Sequence, residues 1–119
     1  MEKGEYIDLN YISGLCDGDN QFMVEMIETF LKDAPGIIDS MSSYAENKEW
    51  HKVGELAHKF KTSLMFMGIE SLHEIIRKIE KSGENDENTE EIPAMVVTVH
   101  NTCTKAFSEL SSFIRQSDR

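Results

Sequence analysis

Leu56–Gly68, reading L-A-H-K-F-K-T-S-L-M-F-M-G, decides how the rest of this chain is read. With Val53 ahead of it, the apolar residues Val53, Ala57, Phe60, Leu64 and Met67 follow steps of four, three, four and three. That is the spacing of one buried helical stripe. His58 stands one residue, or about 100° of rotation, from Ala57, which puts it at the edge of the stripe with one flank packed and the other wet. Lys61 follows one turn later on the same side.

Downstream, Gly68 is the natural stop of this helix, because a glycine accepts the left-handed angles that close a C-terminus. Ten residues at about 1.5 Å each place it roughly 15 Å from His58, out of reach of anything bound there. Glu70 or Ser71 is expected to cap a next helix with Leu72, Ile75, Ile76 and Ile79 on its apolar face. The run S-G-E-N-D-E-N-T-E-E from Ser82 to Glu91 holds no apolar residue and reads as a solvated acidic loop. Thr89, Glu91 and Ile92-Pro93 then open the last helix. Its stripe is the longest in the chain: Met95, Val96, Val99, Cys103, Ala106, Phe107, Leu110, Phe113 and Ile114. Val96–Val99 taken alone is strand-like, but the sustained helical period overrules it.

Upstream, Glu49 begins the helix of His58 with Trp50 near its start, and Asn47 and Lys48 end the segment before it. Pro35 lacks an N–H and biases Ala34 away from helical angles, so the sequence predicts two helices meeting at a bend. Phe22, Met23, Met26, Ile27, Phe30 and Leu31 form the face of the first, with Asp19 as its N-cap. Ile37, Ile38, Met41, Tyr44 and Ala45 form the face of the second. Between Tyr6 and Cys16, Leu9, Ile12 and Leu15 recur in threes after Asp8, as in a short capped helix lying over the bundle. The expectation is an all-α chain: an antiparallel four-helix bundle with additional short N-terminal helices. It forms one domain over residues 1–119, in which 1–18 is a lid segment and 82–91 the acidic loop.

A chain of 119 residues can bury one core, not two. The net charge of −10 argues against nucleic acid and against anionic membrane surfaces as partners. That charge is uneven. Between Lys48 and Lys81 seven basic residues face five acidic ones, a balance of +2 that leaves −12 for the remainder, so an anion is best tolerated near His58. No window approaches the roughly 18 apolar residues of a membrane span, and the N-terminal M-E-K-G-E-Y has no signal-like apolar core. Cys16 and Cys103 form no C-x-x-C pair and read as reduced thiols of a cytoplasmic protein.

The run from His58 to Gly68 resembles the signature of histidine-containing phosphotransfer (HPt) domains: a His, a Lys three residues on, small residues next, and a Gly ten residues after the His. The resemblance implies a four-helix bundle that carries a phosphoryl group on His58 between receiver-domain aspartates. It implies response-regulator receiver domains and a hybrid sensor histidine kinase as partners, and a phosphocarrier rather than an enzyme. Any Mg²⁺ is then held by the receiver's acids, leaving no cofactor in this chain. One position departs from the family: where a Gly usually follows the His by four residues, this chain has Thr62, whose β-branched side chain narrows access to the imidazole. Domains of this kind often place a polar residue where Glu80 falls, to hydrogen-bond the imidazole.

The residues themselves support such chemistry. A neutral imidazole, with an ordinary pKa of about 6.5, keeps one unprotonated nitrogen at neutral pH and is a competent phosphoryl acceptor if exposed and oriented. Lys61 is its charge partner: an ammonium about 4 Å from one phosphoryl charge contributes roughly 4 kcal/mol at an effective dielectric of about 20, and less when exposed. Glu80, on the helix returning past His58, would hold the His–NH tautomer, though its charge would also repel a phosphoryl group. Candidate partner contacts are Gly54 and Thr62, one turn either side of His58, together with Lys59 on the surface and Met65 as an adaptable apolar contact. Gly54 serves equally well for close helix packing. No nucleotide-binding glycine loop is present, so the chain is not expected to use ATP by itself. His51, Glu55 and His58 share a helical face, but no further ligand closes the set, and no metal is expected. His73 and His100 read as surface or boundary residues. The other class of reading is a helical adaptor that binds a partner without chemistry, for which His58 is replaceable.

Overall fold

In the computed structural model, which describes residues 3–117, five α-helices account for most of the chain: α1 (Asn10–Leu15), α2 (Asn20–Glu46), α3 (Trp50–Phe66), α4 (His73–Asn85) and α5 (Ile92–Ser117). Single 3₁₀ turns at Glu70–Leu72 and Thr89–Glu91 lead into α4 and α5. The lid segment's first two residues lie outside the described residues. Helices α2 to α5 form a ring in which α2 touches α3 and α5, and α4 touches the same two. Along the α3–α4 seam Gly54 faces Gly83 while His58 faces Glu80, so the two helices run antiparallel.

The stripe that organises the sequence is the inner face of α3: Val53, Ala57, Phe60, Leu64 and Met67 are all buried. Opposite them, α2 contributes Met23, Ile27, Phe30, Ala34, Ile38, Met41 and Ala45, and Phe30 stacks on Phe60 with ring centroids 6.1 Å apart. From α5 come Val96, Val99, Cys103, Ala106 and Leu110. Both cysteines are free thiols within this core, and burial pushes the Cys103 thiol up to about 12. Asp19 caps α2 as its position suggests, its carboxylate accepting from the Phe22 N–H at 3.0 Å. Between α2 and α3 the chain turns in three residues, with Lys48 in the left-handed region and the Glu49 N–H donating to the Tyr44 carbonyl at 2.8 Å.

Five local expectations are corrected. Pro35 does not divide two helices: α2 runs through it without interruption for 27 residues. The ring of Pro35 is on the exposed side, while Ala34, Ile38 and Met41 hold the inner face together. The acidic run is mostly helical too. Helix α4 continues to Asn85 because Ser82 and Gly83 are buried against α3, and only Asp86–Asn88 remain before the 3₁₀ turn, with Asp86 and Asn88 both left-handed. Neither Glu70 nor Ser71 caps α4; both sit in the 3₁₀ turn, and among the described residues no side chain caps that helix. Among the described residues of the lid there is one short helix, α1, of which Ile12 is buried while Leu15 is half exposed. Asp8 accepts from the Asn10 N–H at 3.1 Å without being the N-cap, which is Leu9.

Candidate functional site

His58 lies midway along α3, where the inner stripe gives way to solvent, and its side chain is 62% exposed. Its Nδ1 is 2.5 Å from Oε2 of Glu80 on α4. The second oxygen of that carboxylate, Oε1, accepts from the Lys61 ammonium at 2.8 Å. Glu80 is therefore the centre of a three-residue bridge across the seam, with only 15% of its side chain exposed. The Lys61 ammonium beside it, with a smaller contribution from His58, holds its carboxyl below the ordinary 4.5 against the opposing effect of burial.

An ionised carboxylate can only accept, so the proton between the two groups sits on Nδ1. In a neutral ring the other nitrogen, Nε2, is then the one with a lone pair. In this arrangement the carboxylate engages Nδ1 and leaves Nε2 without a partner on Glu80. Lys61 is drawn toward Glu80 rather than standing free beside the imidazole. One of its three donors is engaged there, and the side chain remains one-third exposed.

The other candidates divide. Lys59, Thr62 and Met65 are all exposed on the His58 face or beside it, Met65 at 52%. Gly54 is not on that face. It is buried at the α3–α4 seam, where a Cβ would come within 3.0 Å of the Glu84 nitrogen and 3.1 Å of the Glu80 carbonyl oxygen. Its absent side chain lets the two helices approach and brings Glu80 within reach of His58. The trio of His51, Glu55 and His58 does not converge among the described residues; the group that does is His58, Glu80 and Glu84.

Sequence reasoning missed a second feature, at the lid end of α3. Tyr11 of α1 stacks on Phe66 of α3 with centroids 5.8 Å apart, half exposed. It borders an open groove of about 620 Å³ that Leu64, Met65, Ile69, His73 and Ile76 continue toward Lys61. No local signal pairs Tyr11 with Phe66, because the contact depends on where the lid folds back.

Compared with known families, residues 25–112 match the Hpt domain. The chain belongs to the Hpt domain family. No curated protein and no solved structure matched it. Hpt domains are phosphocarrier modules rather than catalysts: they take part in histidine phosphotransfer within phosphorelays and work with response-regulator receivers. The span matched to the Hpt domain contains α3 and α4 entire, and with them His58, Lys61 and Glu80, whereas the lid and the first turn of α2 precede it. Among the described residues no helix of this Hpt domain is long and apolar enough to cross a membrane.

Proposed function

We propose that this Hpt domain accepts a phosphoryl group on Nε2 of His58 from a receiver-domain aspartyl phosphate and passes it to the aspartate of another receiver. The observation that carries the reading is the hydrogen bond between Nδ1 and Glu80 on an otherwise exposed ring. It leaves the Nε2 lone pair outward, where a receiver has to approach. In the forward step that lone pair bonds to phosphorus while the P–O bond to the aspartyl oxygen breaks, and the receiver's carboxylate leaves with the bonding pair. The ring keeps its Nδ1 proton and becomes a phosphoimidazolium, whose positive charge faces the Glu80 carboxylate. Transfer to the second receiver reverses these events. Such a carrier supplies positioning and charge, and needs no nucleotide of its own.

Lys61 has a double part in this reading: it anchors Glu80, and its remaining donors are free to meet phosphoryl oxygens. Lys59, Thr62 and Met65 form the surface a receiver meets, with Thr62 restricting which receivers fit. A hybrid sensor kinase carrying its own receiver is a suitable donor. The cytoplasm is the compartment that suits two free buried thiols.

Incubation with a phosphorylated receiver tests the proposal. The expected result is an acid-labile, alkali-stable label on the chain that disappears in His58→Gln. Receiver binding without label on the wild-type chain, for every receiver tried, is the behaviour of the adaptor instead.

A further inference from the structure

Glu84 lies one turn beyond Glu80 on α4, and the transfer chemistry makes no use of it. Ligand atoms of His58, Glu80 and Glu84 all lie within 4.8 Å of one another. The geometry points to a site for a divalent first-row transition ion, zinc being the representative, held by the His58 imidazole and the carboxylates of Glu80 and Glu84. Water completes the four-coordinate shell.

The donor set selects the ion. One imidazole nitrogen and two carboxylate oxygens suit zinc and its neighbours, whereas Mg²⁺ keeps to oxygen ligands in near-octahedral geometry. Ligands at about 2.0–2.2 Å from a tetrahedral centre stand roughly 3.3 Å apart, so a group already gathered this closely needs side-chain adjustment and no helix movement. The framework is firm: Gly83 packs so tightly on α3 that its Cβ would meet the Gly54 Cα at 2.8 Å, fixing the distance between the helices that supply the ligands. The carboxylates sit at i and i+4, a repulsive pair. Lys61 compensates only Oε1 of Glu80, and Glu84 makes no ion pair among the described residues. A cation between them relieves that repulsion. Oε2 of Glu80, which accepts from Nδ1–H in the metal-free site, is released to the metal when that proton leaves Nδ1, while Lys61 stays on Oε1 as an outer-shell donor that orients the carboxylate.

Occupation of this site has a consequence for the relay, which rests on the role proposed for His58. A neutral imidazole offers one lone pair. When a metal binds Nδ1, the ring's single proton moves from Nδ1 to Nε2, where the phosphoryl group would bond. Metal and phosphoryl group therefore exclude each other, and zinc acts as a brake on phosphoryl acceptance.

Calorimetric titration of the metal-free full chain with zinc, followed in parallel by imidazole NMR, tests the site. One equivalent is expected, with the largest shifts on the His58 ring. Both His58→Gln and Glu84→Gln, substitutions at exposed positions, are expected to weaken binding by about tenfold or more. The unaltered His51, His73 and His100 serve as internal controls for adventitious zinc. Absence of saturable binding, or unchanged affinity in either variant, overturns the site. In a second arm the chain is phosphorylated with phosphoramidate, which needs no receiver: one equivalent of zinc should suppress labelling of the wild type and leave Glu84→Gln largely unaffected. Equal suppression in both overturns the brake. If His58 takes no label even without zinc, the relay reading fails while the titration still decides the metal site.

Discussion

A single carboxylate stands between an imidazole and an ammonium, and the consequences of removing it differ by substitution. Glu80→Ala deletes the acceptor for Nδ1–H and releases Lys61. Hydrogen bonds to charged groups contribute about 1.5–3 kcal/mol when sheltered, and the exposure of His58 places this one at the low end, so the rate of His58 phosphorylation is expected to fall about tenfold. Glu80→Gln keeps an amide oxygen facing Nδ1 and should recover most of that rate, a distinction that single-turnover transfer from one receiver will read. The same carboxyl leaves a mark on acid stability. Because its folded pKa is lowered, it stabilises the fold above its ordinary 4.5, and that contribution disappears as pH falls through the lowered folded value. Urea midpoints of the wild type and Glu80→Gln should accordingly differ at neutral pH and converge in acid; a gap that persists at low pH would contradict the bridge. His58, Lys61 and Glu80 were all legible in the sequence, since helical period places the first two on one side and an antiparallel return brings the third level with them. What Lys61 touches was not legible. Its partner lies on another helix, and the choice between a carboxylate and open solvent is made by packing distance. Glu84 was hidden for a related reason, being assigned to a loop that is in fact helix.

At the scale of elements, the α3–α4 seam is where local and tertiary preferences conflict most visibly. Gly83 weakens α4 as a helix, and its neighbours from Ser82 to Glu91 offer no apolar side chain, so a reading based on composition ends the helix there. The helix continues because Gly83 and Gly54 let two backbones meet, a gain that depends on the absence of side chains and leaves no periodic trace. Pro35 is the converse case: a local breaker overridden by the apolar face on either side of it. Gly83→Ala makes the seam measurable. A Cβ there would lie 2.5 Å from the Trp50 carbonyl oxygen and 2.8 Å from Gly54, backbone atoms that cannot rotate away. Overpacking of this kind costs about 1–3 kcal/mol, partly offset by up to about 1 kcal/mol of improved helix propensity. A net loss of about 1–2 kcal/mol is expected in urea unfolding. Gly54→Ala, whose closest approaches are 3.0–3.2 Å, should lose less. If Gly83→Ala instead stabilises the chain, propensity outweighs the seam and the close approach is not what holds α4 in place.

Taken whole, the molecule is a rod-like bundle, 47 Å by 21 Å by 20 Å, and its lid closes one end of it. Although the lid precedes the matched Hpt span, it is tied to α5, to the end of α3 and to the common core. The Glu109 carboxylate on α5 accepts from the N–H groups of Glu5 and Tyr6, each at 2.9 Å. The Asp8 N–H donates to the Met67 carbonyl at 3.3 Å, beside Gly68, which is left-handed and so close to Asp8 that any side chain would strike its backbone. Leu9 and Ile12 are wholly buried and join the same core as α2 to α5. Trp50, the single tryptophan, stands at the opposite end of α3, about 25 Å away along the helix axis. Its fluorescence therefore reports the far end of the bundle. Leu9→Ala should cost about 3 kcal/mol, as truncation of a fully buried leucine does, whereas Tyr11→Ala, half exposed on α1, should cost less than about 1 kcal/mol. If lid and bundle unfold as one cooperative unit, the Leu9→Ala shift seen by Trp50 fluorescence will equal the shift seen by circular dichroism. A Trp50 midpoint that stays in place while helical signal is lost early would instead make the lid a separately melting layer, stable only while the bundle beneath it is folded.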